Sequence, residues 1–229
     1  MFSPKVTPVR ALIFDLDGTL IDSQRDLIHS VNAMLREMRR QELPEPTISG
    51  YIGHGAPQLV ARALGGNASE EEHQRALKFF LGYYEDHKMD TTCPYPGVAE
   101  TLAQLQRKGL PMAILTNKPA RISVRILNAL GLAGYFRAIY GGNSFETKKP
   151  DPLGANTILG ELGATPQSAM VIGDSEVDIQ TARNAGTQAA AVNYGFGVHD
   201  RALYPADVYL DSITDLVPLV CDDLATRRT

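Results

Sequence analysis

The apolar run Ala11-Leu12-Ile13-Phe14 ends abruptly in Asp15-Leu16-Asp17-Gly18-Thr19-Leu20, and few folds accommodate that junction. Four consecutive apolar residues describe a strand buried on both faces, as in a parallel sheet. Side chains alternate along a strand, so Asp15 and Asp17 point the same way at its C-terminal end, and Gly18 permits a sharp turn after them. Carboxylates this close resist joint ionisation and raise each other's pKa. A hard, oxygen-liganded cation such as Mg2+ relieves the repulsion. The pair therefore predicts metal-assisted chemistry, with one carboxylate attacking and the other moving protons.

Further strand-like runs follow at Pro111 to Thr116, Ala138 to Gly141, Ala169 to Gly173 and Gln188 to Asn193. Around them, Val98 to Lys108, Arg121 to Leu130, Leu153 to Leu162 and Asp178 to Ala185 carry apolar residues at helical spacing. Such alternation predicts an α/β fold built on a doubly wound parallel sheet. One region, Asp22 to Cys93, shows no strand pattern. Gln24 to Arg40, Pro57 to Leu64 and Glu70 to His87 read as helices there, the first with an apolar stripe of Leu27, Ile28, Val31, Met34 and Leu35. Ser23-Gln24-Arg25-Asp26 reads as its capping box, and Pro44-Glu45-Pro46 as a break. The expected organisation is a core of residues 1–21 and 94–229 with a helical insertion, 22–93. Ligands bind at the C-terminal edge of such sheets, so an insertion after the first strand is placed to act as a lid. A passive helical subdomain is the plainer alternative.

Polar groups recur at the later strand ends. Thr116-Asn117-Lys118 follows Met112 to Leu115, and its hydroxyl and amide suit phosphoryl oxygens, although Thr-Asn at such a junction is also an ordinary turn or N-cap. Lys148-Lys149-Pro150 offers a lysine to neutralise a nucleophilic carboxylate and a transferring phosphate, or simply a solvated basic loop. Gly173-Asp174-Ser175-Glu176-Val177-Asp178 follows Met170 to Ile172. Asp174 is placed to complete an octahedral Mg2+ site with Asp15 and a backbone carbonyl, and Asp178 to orient the metal's waters. Acidic residues in a first helical turn also favour the helix dipole.

Asp-Leu-Asp-Gly-Thr-Leu, followed in order by Thr116, Lys149 and Asp174, resembles the motif set of the haloacid dehalogenase superfamily, over nearly the whole chain. The resemblance implies a Rossmann-like core with a small helical cap inserted after the first strand. It puts the motif lysine directly before proline, at Lys149, leaving Lys148 a surface residue. It implies a phosphomonoester hydrolase in which Asp15 attacks phosphorus and forms an aspartyl phosphate. Asp17 then serves as acid and base, and Mg2+ is held by Asp15, Asp174 and the Asp17 carbonyl. Thr116, Asn117 and Lys149 position the transferring group.

Within the superfamily, Gly50-Tyr51-Ile52-Gly53-His54-Gly55 and Tyr95-Pro96-Gly97-Val98 resemble the phosphoglycolate phosphatases. Glycines in a lid loop let backbone N–H groups approach an anion, and His54 is positioned to meet a carboxylate. A flexible helix–helix connection with an exposed histidine fits Gly53, His54 and Gly55 equally well. A sugar-phosphate mutase, a pyrophosphatase and a nucleotidase share the chemistry and stay open. A signalling receiver domain, which also keeps a phospho-aspartate, is disfavoured by Asp17 and the long insertion. A non-catalytic binding protein on the same scaffold ranks low, because every catalytic residue type is present. His29, His73, His87 and His199 show no metal-ligand spacing. Gly195-Phe196-Gly197 reads as a turn near the site rim, and Arg62 and Arg121 as solvated.

The chain of 229 residues is long enough for one large or two modest domains, with 44% apolar and 21% charged residues. A net charge of -4 argues against a nucleic-acid partner, and the absence of a long apolar segment near Met1 to Arg10 against a membrane span or signal peptide. Two cysteines, Cys93 and Cys221, suit free thiols in a reducing cytoplasm better than a bridge. The expected partner is a small phosphorylated metabolite. Monomer and dimer are both open.

Overall fold

The computed structural model describes residues 8–197 and 200–225, without the side chains of 221–225. His199, the Cys221 thiol and residues 1–7 and 226–229 lie outside that description. β1 (Ala11–Phe14) leads through β2 (Ile21–Asp22) into four helices: α1 (Gln24–Glu37), α2 (Glu45–Ser49), α3 (Ala56–Leu64) and α4 (Glu70–His87). β3 (Cys93–Pro94) closes this excursion by pairing antiparallel with β2, Asp22 opposite Cys93. Alternation then runs through α5 (Val98–Arg107), β4 (Met112–Leu115), α6 (Ala120–Ala129), β5 (Ala138–Tyr140) and α7 (Leu153–Leu162). It ends with β6 (Ala169–Gly173), α8 (Glu176–Ala185), β7 (Gln188–Val192), β8 (Val208–Leu210) and α9 (Leu216–Ala225). No helix among the described residues is long and apolar enough to cross a membrane.

Six strands form one parallel sheet in the order β5-β4-β1-β6-β7-β8. From β1 the chain lays strands to one side, then returns and continues on the other. This is the doubly wound order, with its reversal between β1 and β6. The central strands are apolar throughout because each serves two cores. Leu12, Phe14, Met112, Ile114, Met170 and Ile172 enter one cluster, and Ala11, Ile13, Ala113, Leu115, Ala169 and Val171 the other. The first cluster takes in Leu102 and Leu105 of α5 and Ile122 and Ile126 of α6; the second takes in Ile158 of α7 and Ile179 of α8. The fold is thus the Rossmann-like α/β core that the motif order implied.

The helical segment differs in detail from its local pattern. The stripe Leu27, Ile28, Val31, Met34 and Leu35 is buried as expected, and α4 has the expected bounds. Pro46 does not break the chain; it stands in the first turn of α2, where proline is tolerated. β8 is three residues long, too short for periodicity to report. The capping box does not form. Ser23 makes no cap bond, and its Oγ donates instead to Oδ1 of Asp17 at 2.6 Å.

Asp26 is 1% exposed and faces the far end of the helical segment. It accepts from the backbone N–H and hydroxyl of both Thr91 and Thr92, at 2.6 to 3.1 Å. A tertiary partner has outcompeted the local cap. Burial alone would raise the Asp26 carboxyl, but the bonds from Thr91 and Thr92 outweigh it and hold the group below its ordinary 3.8. A group depressed on folding contributes stability above its unfolded pKa and loses it as pH falls through the folded value. Asp26→Ala leaves buried donors unmet, so a loss of about 2–3 kcal/mol is expected at neutral pH. Urea unfolding checks this, and the gap to wild type should narrow as the pH is lowered past 3.8.

Candidate active site

The reversal of winding leaves a crevice at the C-terminal ends of β1 and β6. Register fixes what stands there. Phe14 lies opposite Ile172, so Asp15 and Asp174 leave adjacent strands at nearly the same level. Asp178 follows in the first turn of α8 and folds back into the group. Oxygens of Asp15, Asp174 and Asp178 all lie within 4.8 Å of one another. Two glycines make room. A Cβ on Gly18, whose φ is +78°, would sit 2.1 Å from Oδ2 of Asp174, and one on Gly173 would sit 2.1 Å from Cγ of Asp178.

Compensation comes from several directions. Lys149 is 7% exposed and sets its Nζ 2.6 Å from Oδ1 of Asp178. The same Nζ forms an ion pair with Oδ1 of Asp15 at 2.8 Å. Oδ2 of Asp178 accepts from the N–H and Oγ of Ser175. Oδ2 of Asp174 accepts from the N–H groups of Phe196 and Gly197, at 2.8 and 2.9 Å. The Gly195-Phe196-Gly197 turn is therefore part of the site, not only its rim. Lys148 is exposed.

The compensation is incomplete. Burial, against the pull of Lys149 and with the push of Asp178 and Asp17, raises the Asp15 carboxyl to about 6. Burial with the charges of Asp178 and Asp15, against the Gly197 and Phe196 N–H groups, raises Asp174 to about 8. Burial would depress the Lys149 ammonium, but Asp15 and Asp178 outweigh it and hold the group above its ordinary value. Excess negative charge on an all-oxygen donor set fits a hard divalent cation.

Asp17 stands apart from this cluster, with partners that sequence reasoning did not assign. Lys118 Nζ donates to both of its carboxylate oxygens, at 2.9 and 3.0 Å, and to the Tyr84 hydroxyl of α4 at 2.6 Å. The pair Asp17–Lys118 spans 101 positions, so no spacing rule links the two residues. A usable signal was the run of three polar residues, Thr116 to Lys118, directly after a buried strand.

A cleft opens above Asp15 and Asp17, lined on the core side by Thr116, Asn117 and Lys118 and on the helical side by Ile52, Gly53 and Gly55 among others. Thr116 is 3% exposed. Asn117 donates through Nδ2 to the carbonyls of Gly53 and Lys149, at 3.0 and 3.1 Å, tying the glycine loop to the lysine loop. Its side-chain N–H groups are thus engaged by protein. Gly55 has φ +86°, and a Cβ there would lie 3.0 Å from the Asn117 carbonyl. His54 is not among the residues lining the cleft. Its Nε2 is 3.9 Å from Glu176 of α8. Burial and the Arg62 charge, opposed by Glu176, hold its pKa below 6.5. His29 is exposed, His73 contacts the Pro57 carbonyl at 3.0 Å, and His87 pairs with Asp90 at 2.8 Å. Arg62 faces His54 and Arg121 lies 3.5 Å from Glu85. Cys93 is a free, exposed thiol.

Residues 12–192 match the family model described as haloacid dehalogenase-like hydrolase, and the chain belongs to that family. Among its relatives, phosphoglycolate phosphatase 1 of Pseudomonas aeruginosa is 39% identical over 95% of this chain and 81% of that protein. The phosphoglycolate phosphatase of Chromobacterium violaceum is 37% identical over 93% of this chain and 96% of its own length. A crystal structure described as a predicted phosphoglycolate phosphatase from Haemophilus somnus superposes with a TM-score of 0.88. It is 31% identical and covers 93% of this chain and 98% of that one.

The raised carboxyls give a signed expectation. Asp15 and Asp174 bind protons more tightly folded than unfolded, so their contribution to metal-free stability is fullest below 3.8 and is lost as pH rises toward about 8. A divalent cation held by the ionised groups should reverse that slope. Melting temperatures between about pH 5 and about pH 8, with EDTA and with excess divalent cation, check this. Curves that stay parallel would remove the cation from the cluster.

Proposed function

We propose that the chain hydrolyses small phosphomonoesters, with 2-phosphoglycolate as substrate, through an aspartyl phosphate on Asp15. The observation that carries the reading is the buried group Asp15, Asp174, Asp178 and Lys149 at the reversal of the sheet, with Asp17 two residues beyond the nucleophile in the adjoining cleft. Names of relatives at 35–39% identity over most of the chain support the substrate.

In this mechanism an Asp15 oxygen attacks phosphorus and the bond from phosphorus to the ester oxygen breaks. Asp17 delivers a proton to the departing oxygen, then takes one from the water that attacks the phosphoryl group. That second step releases inorganic phosphate and regenerates Asp15. Lys149 offsets the negative charge that gathers as phosphoryl meets carboxylate. Thr116 lines the cleft with a hydroxyl for phosphoryl oxygens. Asn117 acts through its grip on Gly53 and Lys149, holding the two loops around the transferring group. Asp15 and Asp174, with the Asp17 carbonyl, would hold Mg2+, and Asp178 orients the arrangement from behind. Bound Mg2+ supplies neutralisation of phosphoryl charge.

We infer that residues 22–93 form a cap whose loop of Gly53, His54 and Gly55 closes the cleft against bulk water. The free Cys93 thiol and the small-metabolite substrate favour a cytoplasmic setting.

Phosphate release over a panel of 2-phosphoglycolate, sugar phosphates, nucleotides and pyrophosphate tests the reading. The expected result is Mg2+-dependent turnover with 2-phosphoglycolate preferred in kcat/KM. Asp15→Asn should lose on the order of 10^4-fold in kcat while keeping its circular dichroism and a cooperative melting transition. A variant at wild-type rate sinks the nucleophile assignment. Preference for another panel member keeps the chemistry and overturns the substrate.

A further inference from the structure

Beside the polar residues Asp15, Asp17, Thr116 and Asn117, the cleft is lined mainly by apolar side chains. Leu27, Ile52, Leu59, Phe80 and Pro119 line it, and among the described lining residues Lys118 is the only cation. At 5% exposure an ammonium in such surroundings is costly unless paired. An ammonium has three N–H donors. Here they serve both oxygens of Asp17 and the hydroxyl of Tyr84. The second bond to the same carboxylate is redundant for charge. One donor can therefore turn to a ligand while the ion pair with Asp17 persists. Tyr84 keeps the ammonium in place from the helical side, its ring centroid 4.5 Å from Nζ.

We propose that Lys118 is a charge-selecting residue, its ammonium receiving a carboxylate on the leaving group while the neighbouring Asp17 serves the ester oxygen. The proposal rests on the substrate reading above and names the residue behind its charge preference. In 2-phosphoglycolate a single methylene separates the ester oxygen from the carboxylate carbon. The two groups therefore need an acid and a cation side by side, and Asp17 and Lys118 stand 2.9 Å apart. His54 is not among the residues lining the cleft, and its Nε2 lies 3.9 Å from Glu176.

The test compares 2-phosphoglycolate with 2-hydroxyethyl phosphate, which replaces the carboxylate by a neutral group of similar size. Wild type should favour the first. Lys118→Met should lower the ratio of the two kcat/KM values by about tenfold or more, mainly through KM for 2-phosphoglycolate, and Lys118→Arg should keep most of it. Loss through a misplaced Asp17 falls on both substrates and cancels in the ratio. If Lys118→Met turns over neither, calorimetric binding decides. Asp17→Asn and Asp17→Asn/Lys118→Met are titrated with 2-phosphoglycolate and with inorganic phosphate, in Mg2+. Weakening confined to 2-phosphoglycolate supports the proposal, and equal weakening of both overturns it. A wild-type preference that survives Lys118→Met sinks the role of Lys118 alone. A wild-type ratio near one sinks the substrate reading and this proposal with it.

Discussion

Burying carboxylates in mutual contact at the edge of two neighbouring strands is the constraint from which the rest of the site follows. Asp15, Asp174 and Asp178 are 8%, 5% and 2% exposed. Isolated, each would be strongly disfavoured there. The fold supplies partners by three routes: the Lys149 side chain, the Ser175 cap at the start of α8, and the backbone N–H groups of Phe196 and Gly197. These are enough to keep the cluster together but leave Asp15 and Asp174 reluctant to ionise. A site short of positive charge is one prepared for a cation. The same arrangement explains why Gly173 ends β6: the Asp178 side chain occupies the space a Cβ would fill.

Strands could be read from sequence because a doubly wound sheet buries both faces of its central strands, which makes them continuous apolar runs. Polar residues placed right after those runs, such as Asp15, Thr116 and Asp174, could then be assigned to the sheet's C-terminal edge. What could not be read is any feature whose partner is distant or lacks a side-chain signature. Ser23 and Asp26 have the spacing of a capping box, yet Asp17 and the pair Thr91 and Thr92 claim them. Phe196 and Gly197 contribute through backbone N–H groups, which every non-proline residue has. Asn117 has the residue type of a ligand for phosphoryl oxygens, and nothing local shows that its amide N–H groups bridge two loops. In each case the deciding partner lies outside the local pattern, which carries no signal of it.

Helix α4 carries several of the contacts by which the helical segment meets the C-terminal edge of the sheet. Tyr84 reaches Lys118, and the next residue, Glu85, pairs with Arg121 and Arg125 of α6. Those arginines are 70% and 52% exposed, so their ion pairs add little and weaken with salt. The Tyr84 hydroxyl is different, because Tyr84 is 2% exposed and its partner is a buried ammonium. Ser23, at the other end of the segment's attachment, donates to the same Asp17 that Lys118 holds. Asp17 is thus held by Ser23 at the start of the helical segment and by the core residue Lys118, which Tyr84 braces from near the segment's other end, while Asp15 pairs with the core residue Lys149.

That separation has a chemical consequence. The groups around Asp15 respond to phosphoryl charge, which every phosphomonoester brings, and they belong to strands and loops of the sheet. In the proposed mechanism the groups around Asp17 would face the departing alcohol, which differs from one substrate to the next, and two of them, Ser23 and Tyr84, lie in the helical segment. Changing the insertion can therefore alter which leaving group is accepted without disturbing the carboxylate cluster. Lys118 sits where the two parts meet: it is anchored in the core strand-end, braced by a tyrosine of the insertion and paired with the acid. In the proposed mechanism a residue in that position would link the identity of the leaving group to the geometry of proton delivery. On the proposed mechanism the core's chemistry is general, and selectivity arises where Lys118 stands among the apolar side chains of the cleft.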